Sequence, residues 1–307
     1  MERYDIIIVG GGPAGLTAAL YCARAKLNTL VLEKKMPGGQ ILNTERIENC
    51  PGFDSISGLE LAQRMEQHAR RFGANIKLEE VKEIHSERNA KVVKTAKGTY
   101  HAGAVILAAG GEPRWLNVPG EKEFLGKGIS YCALCDGPFF AEQTIAVVGG
   151  GDAAVQEAVY LTKFAQKVYL IHRRHSLRAK KELQEELLEN AKVEVIWDTI
   201  IKRIEGKETV ERLLLRNVKT GKNSPLEVSG VFIYIGFVPN SKLLNKNLEL
   251  DERGYIKTDF KMLTSAEGVF AAGDIRFQLA KQITNAMSDG TTAAIAAEAY
   301  LKEKGLI

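Results

Sequence analysis

The chain has 307 residues, of which 45% are hydrophobic, and its 42 basic and 38 acidic residues give a formal net charge of +4. This length allows about two domains of ordinary size. The net charge is too small to bind nucleic acid through bulk attraction. No apolar run approaches the ~18 residues of a membrane span, and the run at residues 6–9 is too short for a signal peptide. We therefore expect a soluble cytoplasmic protein that binds neither nucleic acid nor a membrane.

Two segments of the chain repeat one pattern. Residues 4–15 read YDIIIVGGGPAG and residues 144–154 read TIAVVGGGDAA, so each is a β-branched run followed by glycines and a helix-forming stretch. Pro13 suits a first helical turn, and Asp152 can cap the second helix, which we expect to run to about Phe164. A further apolar strand follows each helix, at residues 29–32 and 167–171. Two β-α-β units predict an α/β fold with two Rossmann-like nucleotide-binding domains.

The remaining elements are arranged around these units. A capping box that begins at Ser57 predicts a helix towards Phe72. Short alternating strands predict antiparallel sets over residues 81–107 and 193–235. An Ala-rich helix is expected over residues 287–304. Two proline-containing segments, residues 115–119 and 238–240, are candidate crossings between the domains.

The first glycine motif, Gly10-x-Gly12-x-x-Gly15, follows a predicted strand and opens a helix. Glycines permit a tight turn and close approach to a pyrophosphate, which the helix N-terminus favours. Glu33 comes 23 residues after Gly10, at the end of the next strand, where a carboxylate can accept hydrogen bonds from ribose hydroxyls. The alternative is a strand–helix turn that binds nothing, and Glu33 makes that alternative less favoured.

The second motif, Gly149-x-Gly151-x-x-Ala154, repeats the spacing, but the same offset from Gly149 now reaches His172. Cations replace the acidic residue, and they are His172, Arg173, Arg174 and Arg178. A guanidinium group binds a 2′-phosphate that a carboxylate would repel, so this site is expected to prefer NADPH to NADH. The alternative is a solvated basic end of a strand.

A CxxC sequence, Cys132-Ala-Leu-Cys135, lies just before the second glycine motif and is followed by Asp136. Half of a zinc site is one interpretation, but no second pair or nearby histidines accompany it. A redox dithiol is favoured, because this spacing closes a reactive disulfide. Asp136 either moves the proton of thiol–disulfide exchange or caps a turn. The other two cysteines are interpreted as a buried small side chain, Cys22, and an incidental turn residue, Cys50.

Together these motifs resemble the low-molecular-weight thioredoxin reductases over essentially the whole chain. The motifs are GGGPAG at 10–15, GGQ at 38–40, ENCPG at 48–52, CALCDG at 132–137, GGGDAA at 149–154, HRRHSLRA at 172–179 and GVFAAGD at 268–274. Their order carries the resemblance too, because in this family the CxxC lies inside the NADPH domain, just before its glycine motif. Three positions depart from the common family pattern: Cys50, Lys281 and Ser288.

The resemblance implies a discontinuous FAD-binding domain, residues 1–113 and 241–307, with an NADPH-binding domain inserted at residues 114–240. The FAD contacts it implies are Gly10, Gly12, Pro13, Ala14, Gly15, Glu33, Gly39, Gln40, Asn49, Val81, Gly110, Asp274, Lys281 and Gln282. The NADPH contacts it implies are Gly149, Gly151, Asp152, Ala153, Ala154, His172, Arg173, Arg174 and Arg178. It implies no metal site.

The implied reaction carries electrons from NADPH through FAD to the Cys132–Cys135 disulfide and then to thioredoxin, in a homodimer. Cys135 is expected to face the flavin, Cys132 to attack the partner disulfide, and Asp136 to act as acid and base. The domain crossings would let the NADPH domain rotate between two states. Two other interpretations stay open: a reductase of a peroxiredoxin or a glutaredoxin-like protein, or a flavin redox sensor without turnover. The intact second glycine motif and the arginines that follow it argue against a ferredoxin-linked enzyme that has lost its NADPH site.

Overall fold

The structure is a computed structural model that describes residues 2–44, 46–87, 90–243 and 248–307. The chain divides into two compact units, one formed by Met1–Glu112 with Val238–Ile307 and the other by Pro113–Phe237. These divisions lie close to the domain limits expected from the sequence. We call them the outer unit and the inserted unit.

The first segment of the outer unit contains seven strands, two helices and a 3-10 helix at Gly39–Asn43. These elements are β1 (Glu2–Val9), α1 (Pro13–Arg24), β2 (Thr29–Glu33), α2 (Gly58–Arg71), β3 (Asn75–Leu78), β4 (Val81–Glu87), β5 (Ala90–Thr95), β6 (Thr99–Leu107) and β7 (Gly111–Pro113), whose last residue begins the inserted unit.

The inserted unit contains eight further strands, three helices and a 3-10 helix at Gly137–Phe140. These elements are β8 (Ile129–Ser130), α3 (Ala133–Asp136), β9 (Thr144–Gly149), α4 (Asp152–Leu161), β10 (Lys167–Ile171), α5 (Lys181–Glu189), β11 (Val193–Ile196), β12 (Thr199–Gly206), β13 (Val210–Asn217), β14 (Asn223–Glu227) and β15 (Gly230–Tyr234).

The chain then returns to the outer unit through a short strand that pairs with β7. The last elements are β16 (Phe237–Pro239), β17 (Val269–Ala271) and α6 (Ile283–Glu303), with 3-10 helices at Ser241–Leu243 and Gly273–Ile275. In the described part of the chain, no helix combines the length and the apolar composition needed to cross a membrane.

The sheet of the outer unit has the strand order β3-β2-β1-β6-β5-β4, with β17 also paired to β6. Strands β3, β2, β1, β6 and β17 are parallel, whereas β5 and β4 are antiparallel additions. One edge of β6 serves both sets, because residues 99–102 pair with β5 and residues 105–107 pair with β17. The length of β6 therefore joins the parallel core to the predicted antiparallel set.

Strand β1 explains why this sheet is parallel and covered. Ile6 and Ile8 pack on one face, in the cluster that contains α1 and α6, whereas Ile7 and Val9 pack on the other face. A strand buried on both faces is continuously apolar, as this one is. Helix α6 begins at Ile283, before the predicted start, and approaches α1 closely. A Cβ on Gly290 would lie 2.2 Å from the carbonyl oxygen of Ala14, so this crossing requires glycine.

The inserted unit has a parallel sheet of order β11-β10-β9-β15-β8 and a separate antiparallel sheet of order β12-β13-β14. The antiparallel set predicted for residues 193–235 is therefore correct for β12–β14 and wrong at both ends. Strand β15 joins the parallel sheet because Val231, Phe232 and Ile233 are buried in succession, a pattern typical of parallel strands. Helix α4 ends at Leu161 rather than Phe164.

Candidate active site

The first glycine loop joins β1 to α1 in the outer unit. Gly10 has a φ of +108°, and a Cβ there would lie 2.4 Å from the carbonyl oxygen of Ala108. A Cβ on Gly15 would lie 1.9 Å from the carbonyl oxygen of Gly10. By contrast, nothing lies closer than 3.9 Å to a Cβ placed on Gly12. The outer surface of the loop, at the N-terminus of α1, is therefore open to a phosphate group.

Glu33 is held directly beside this loop. One carboxylate oxygen accepts the backbone N–H of Gly11 at 2.6 Å, and the other accepts that of Lys35 at 3.0 Å. Each oxygen keeps a further lone pair that can accept a ribose hydroxyl. Gly10, Glu33 and Val81 line one cleft of about 340 Å³, so the structure brings these three predicted residues together.

The 3-10 helix at Gly39–Asn43, with Gly38 before it, packs against the first glycine loop. Gly38 donates its N–H to the carbonyl oxygen of Gly11 at 2.7 Å, and a Cβ on Gly39 would lie 3.1 Å from the Cα of Gly12. The side-chain amide of Gln40 donates to the carbonyl oxygen of Gly111 at 2.9 Å. The predicted residue Gly39 thus lies against the first glycine loop, whereas Gln40 contacts β7.

The same cleft is lined by Asn240, which lies in a predicted domain crossing and was not among the predicted site residues. Its side-chain amide donates to the carbonyl oxygen of Ala109 at 2.9 Å, and its backbone N–H donates to that of Gly110 at 3.0 Å. Gly110 has a φ of +56°, with open space where a Cβ would be. Asn240 therefore fixes the strand end that carries the predicted residue Gly110.

Asp274 lies in the 3-10 helix that follows β17, and burial raises the pKa of its carboxyl group. Lys281 donates to the backbone carbonyl oxygen of Asp274 at 2.9 Å, and its ammonium group lies 4.0 Å from the ring centre of Tyr255. Burial lowers the pKa of Lys281. Gln282 accepts a hydrogen bond from Asn49 at 3.3 Å. These four predicted residues thus form two pairs, Asp274 with Lys281 and Asn49 with Gln282.

A buried ion pair supports the segment that carries Asp274. The carboxylate of Asp289, on α6, accepts the backbone N–H of Gly273 at 3.0 Å and a guanidinium N–H of Arg276 at 3.2 Å. Their side chains are only 9% and 15% exposed. Sequence reasoning missed both residues. The available signal was an acidic residue in phase with Ala286 and Ala293 on the buried face of an Ala-rich helix.

The second glycine loop joins β9 to α4 in the inserted unit. A Cβ on Gly149 would lie 2.5 Å from both the Cβ of Ala154 and the carbonyl oxygen of Tyr234. A Cβ on Gly150 would lie 2.2 Å from the ring of His172. Nothing lies within 4 Å of a Cβ placed on Gly151. As in the first loop, the strand side is tightly packed and the outer side is open.

The ring of His172 packs directly against this loop, at Gly149 and Gly150. The residue is 5% exposed, with Nδ1 2.8 Å from the carbonyl oxygen of Gly149 and Nε2 3.0 Å from that of Ser176. Both nitrogens of the imidazole therefore lie at hydrogen-bond distance from backbone carbonyl oxygens. Three exposed arginines follow His172 in the chain: Arg173, Arg174 and Arg178. None of them forms an ion pair with the described residues.

Two contacts tie this basic segment to the loop. The backbone N–H of Arg178 donates to the carbonyl oxygen of Gly150 at 2.7 Å. The carboxylate of Asp152, in the first turn of α4, accepts the N–H of Lys180 at 2.9 Å. Ala153 is exposed, and the first N–H groups of α4 have no acceptor within the helix. The arginines and the helix N-terminus thus border the same loop.

The redox candidates occupy α3 and its N-cap. Cys132 and Cys135 are joined by a disulfide with a Cα–Cα distance of 5.3 Å. The Sγ of Cys132 accepts the backbone N–H of Cys135 at 3.2 Å. Asp136 follows directly, and its carboxylate accepts the hydroxyl of Ser130 at 2.5 Å. Burial raises the pKa of Asp136, the direction that favours its protonated form.

A buried carboxylate that the sequence did not reveal contacts the segment that leads into the pair. Glu121 is 1% exposed and accepts backbone N–H groups from Leu116 and Asn117, both at 2.7 Å. It also accepts the hydroxyl of Tyr131, the residue before Cys132, at 3.0 Å. Three donors satisfy the charge, so Glu121 connects the start of the inserted unit to the redox segment.

The other cysteines lie in the outer unit. Cys22 is buried in the α1 core, and burial raises the pKa of its thiol to about 12. Cys50 is 4% exposed and packs in a small cluster with Ile47 and Ile56. The interpretation of Cys50 as an incidental turn residue is therefore wrong, because its side chain belongs to a core. Among the described residues, no three His, Cys, Asp or Glu side chains are grouped to hold a metal ion.

Known proteins resemble this chain over nearly its whole length. Residues 4–290 match the family described as pyridine nucleotide-disulphide oxidoreductase. A thioredoxin reductase of Bacillus subtilis is 48% identical over 301 residues, which cover 98% of this chain and 95% of the relative.

Solved structures agree with these relatives in fold. A thioredoxin reductase from Streptococcus pyogenes is 46% identical, covers 98% of this chain and 99% of its own, and has a TM-score of 0.95. One from Giardia duodenalis is 37% identical, covers 98% and 100%, and has a TM-score of 0.92. The predicted α/β fold with two nucleotide-binding domains is confirmed. The chain belongs to the pyridine nucleotide-disulphide oxidoreductases, a family of redox flavoproteins, and within them to the low-molecular-weight thioredoxin reductases.

Proposed function

We propose that this protein transfers electrons from NADPH, through FAD, to the disulfide of thioredoxin. The observation that carries the proposal is the Cys132–Cys135 disulfide, which lies in the unit that also contains the arginine-flanked glycine loop. A buried carboxyl group with a raised pKa, Asp136, directly follows the pair. A dithiol, a nucleotide loop and a proton carrier are the groups that a disulfide reductase needs.

The outer unit fits FAD. The open surface at Gly12, the helix N-terminus behind it and the Glu33 carboxylate suit a pyrophosphate and a ribose, and the cleft with Gly10 and Val81 suits the nucleoside end. Asp274, Lys281 and Gln282 would contact the other end of the cofactor. When bound, FAD supplies the two-electron carrier between the nicotinamide and the disulfide.

The inserted unit fits NADPH. The pyrophosphate would lie at the N-terminus of α4, against the loop from Gly149 to Ala154. Arg173, Arg174 and Arg178 are exposed cations beside that loop, and guanidinium groups bind a 2′-phosphate with two parallel hydrogen bonds. His172 holds the loop from below. These features support NADPH over NADH.

In the reduced enzyme, the dithiol reacts by two exchanges. The Cys132 thiolate attacks one sulfur of the partner disulfide, so a mixed disulfide forms and one partner thiolate leaves. The Cys135 thiolate then attacks the sulfur of Cys132, which restores the enzyme disulfide and releases the second partner sulfur. Two electrons pass from the enzyme dithiol to the partner, whose sulfurs take up two protons. Asp136, whose pKa burial raises, would supply one of them in its protonated form.

A turnover experiment with purified holoprotein tests this function. The enzyme is mixed with NADPH, thioredoxin and a chromogenic disulfide, and the reaction is repeated with NADH. We expect turnover that requires both NADPH and thioredoxin. Cys132→Ser should lower turnover about a thousandfold or more, yet leave reduction of the flavin by NADPH intact. Cys50→Ala, which removes a thiol outside the pair, serves as the control and should keep both activities.

Other outcomes of this experiment point elsewhere. Reduction of the flavin without thioredoxin turnover would indicate another disulfide partner, such as a peroxiredoxin or a glutaredoxin-like protein. If no partner disulfide is reduced, a redox sensor becomes the better description. Failure of both nucleotides to reduce the flavin would contradict the NADPH assignment and favour a ferredoxin donor.

Two further features belong to the same proposal. The family resemblance supports a homodimer in the cytoplasm. Sedimentation equilibrium of the holoprotein should give twice the chain mass of 33.7 kDa, and a single-chain mass would contradict the dimer. Cell fractionation should place the protein in the soluble cytoplasmic fraction.

A further inference from the structure

The short helix α3 receives a hydrogen-bond acceptor from β15, a strand about a hundred residues further along the chain. Within the segment, Cys132 accepts the N–H groups of Cys135, at Sγ, and of Asp136, at its carbonyl oxygen. The N–H of Ala133 instead donates to the hydroxyl oxygen of Tyr234 at 2.6 Å. Ala133 is 1% exposed, so this buried donor needs its acceptor.

Tyr234 is firmly anchored by its own backbone. It is the last residue of β15 and pairs with Gly149 in the parallel sheet. Its carbonyl oxygen lies so close to Gly149 that a Cβ there would be 2.5 Å away. Its side chain packs against the cluster that contains Ala133 and Leu161. One residue therefore contacts the nucleotide loop through its backbone and the redox helix through its hydroxyl.

The surroundings keep this hydroxyl neutral. Burial raises the pKa of Tyr234 well above its usual value, and the carboxylates of Glu157 and Asp136 raise it further. Burial also raises the pKa of both carboxyl groups. The phenol thus remains an O–H whose oxygen accepts the Ala133 N–H. Phenylalanine at this position keeps the ring and removes the hydroxyl with that acceptor.

We propose that Tyr234 is a positioning residue for the redox pair: its hydroxyl fixes the first turn of α3 around Cys132. The proposal deepens the proposed function and rests on it. In the disulfide form, the backbone N–H of Cys135 lies 3.2 Å from the Cys132 sulfur. In the reduced enzyme, the same N–H would stabilise the thiolate of Cys132. A loosened first turn weakens this stabilisation, so fewer Cys132 thiolates exist at neutral pH.

Tyr234→Phe tests this role through the pH profile of alkylation. The holoenzyme is reduced with dithiothreitol, freed of it without oxygen and treated with iodoacetamide between pH 5 and 9, and Cys132 is quantified by peptide mass spectrometry. We expect the midpoint for Cys132 to rise so that about three to ten times fewer thiolates are present at pH 7. Reduction of the flavin by NADPH should keep its wild-type rate.

Tyr160→Phe is the matched control. Tyr160 is a partly buried tyrosine of the same unit, and its hydroxyl forms no hydrogen bond with the described residues. Its profile should match the wild type. An unshifted profile in Tyr234→Phe would overturn the proposal, as would a parallel loss of NADPH-driven reduction, which would mean that Tyr234 acts on the nucleotide loop. Wild-type enzyme that fails to reduce thioredoxin would contradict the proposed function alone, because the alkylation profile needs no thioredoxin.

Discussion

In both units, a strand, three consecutive glycines and a helix are followed by a polar side chain that lies against the middle glycine. In the outer unit Glu33 lies against Gly11, and in the inserted unit His172 lies against Gly150. Glu33 accepts the N–H of its loop, whereas His172 lies at hydrogen-bond distance from a carbonyl oxygen of its loop. The side chain at the same position of the motif therefore contacts an N–H group in the outer unit and a carbonyl oxygen in the inserted unit.

This difference separates loop support from nucleotide recognition. Glu33 lines an open cleft, so one carboxylate can hold the loop and also accept a ribose hydroxyl. His172 is buried, and the groups available to a nucleotide are the exposed arginines that follow it. Under the proposed function, a change of one side chain at the strand end would move nucleotide recognition to the residues that follow it and reverse the charge of the recognising group.

The largest expected effect comes from the middle glycines. Gly150→Ala places a Cβ 2.2 Å from an imidazole held at both nitrogens, whereas Gly11→Ala places one 3.2 Å from the Glu33 side chain. We expect Gly150→Ala to lower the free energy of unfolding by about 3 kcal/mol and Gly11→Ala by about 1 kcal/mol. Urea denaturation measures both.

The double variant Gly150→Ala, His172→Ala provides the control for this prediction. Removal of the ring should recover much of the lost stability, because the two sites are in contact. Equal losses in Gly150→Ala and Gly11→Ala would contradict the tighter packing of the second loop.

The second effect concerns the charge reversal. Arg173→Gln combined with Arg174→Gln should lower kcat/KM for NADPH by about 10- to 100-fold and leave that for NADH nearly unchanged, because only NADPH carries the 2′-phosphate. Steady-state kinetics with both nucleotides measure this. Arg216→Gln removes an exposed arginine of the same unit, on β13, and should change neither value. Equal losses for both nucleotides would contradict the assigned role.

The smallest effect concerns Asp136, a carboxyl group that is enclosed, unlike Glu33, which lines the cleft. Burial raises the pKa of Asp136, so wild-type stability is lost as pH rises through that value. Asp136→Asn can still accept the Ser130 hydroxyl but carries no charge. We expect its Tm to match the wild type near pH 4 and to exceed it by about 2–4 °C at pH 8.

Thioredoxin turnover of the same variant should fall, so stability and activity would change in opposite directions. Glu208→Gln, at an exposed position of the same unit, should shift Tm at neither pH. A lower Tm at pH 8 in Asp136→Asn would contradict the burial of an ionised Asp136.

Much of the site could be predicted from local sequence. Glycine spacing, the acidic or basic strand end and the CxxC are each short-range patterns, and their spacing reflects one strand–helix–strand unit. The support of these patterns comes from distant residues. Asp289 reaches the Asp274 segment from α6, and Glu121 joins Tyr131 to the start of the inserted unit. Such contacts depend on packing between elements that sequence periodicity does not specify.

The errors in the predicted fold have the same origin. Strand β15 is continuously apolar, unlike β12–β14, but its sequence does not show that it pairs with β9 and β8. Cys50 precedes a Pro-Gly turn, yet its side chain faces a cluster built from residues on either side of that turn. Local signals describe each segment well, but they do not determine which surface covers it.

An anaerobic titration of the holoprotein with NADPH, followed by the absorbance of the flavin, tests the central claim most directly. Two redox groups that exchange electrons should take up about two NADPH per flavin before the absorbance reaches its final value. The double variant Cys132→Ser, Cys135→Ser should need about one. An equal requirement in wild type and variant would show that the Cys132–Cys135 pair does not receive the electrons, and it would contradict the account.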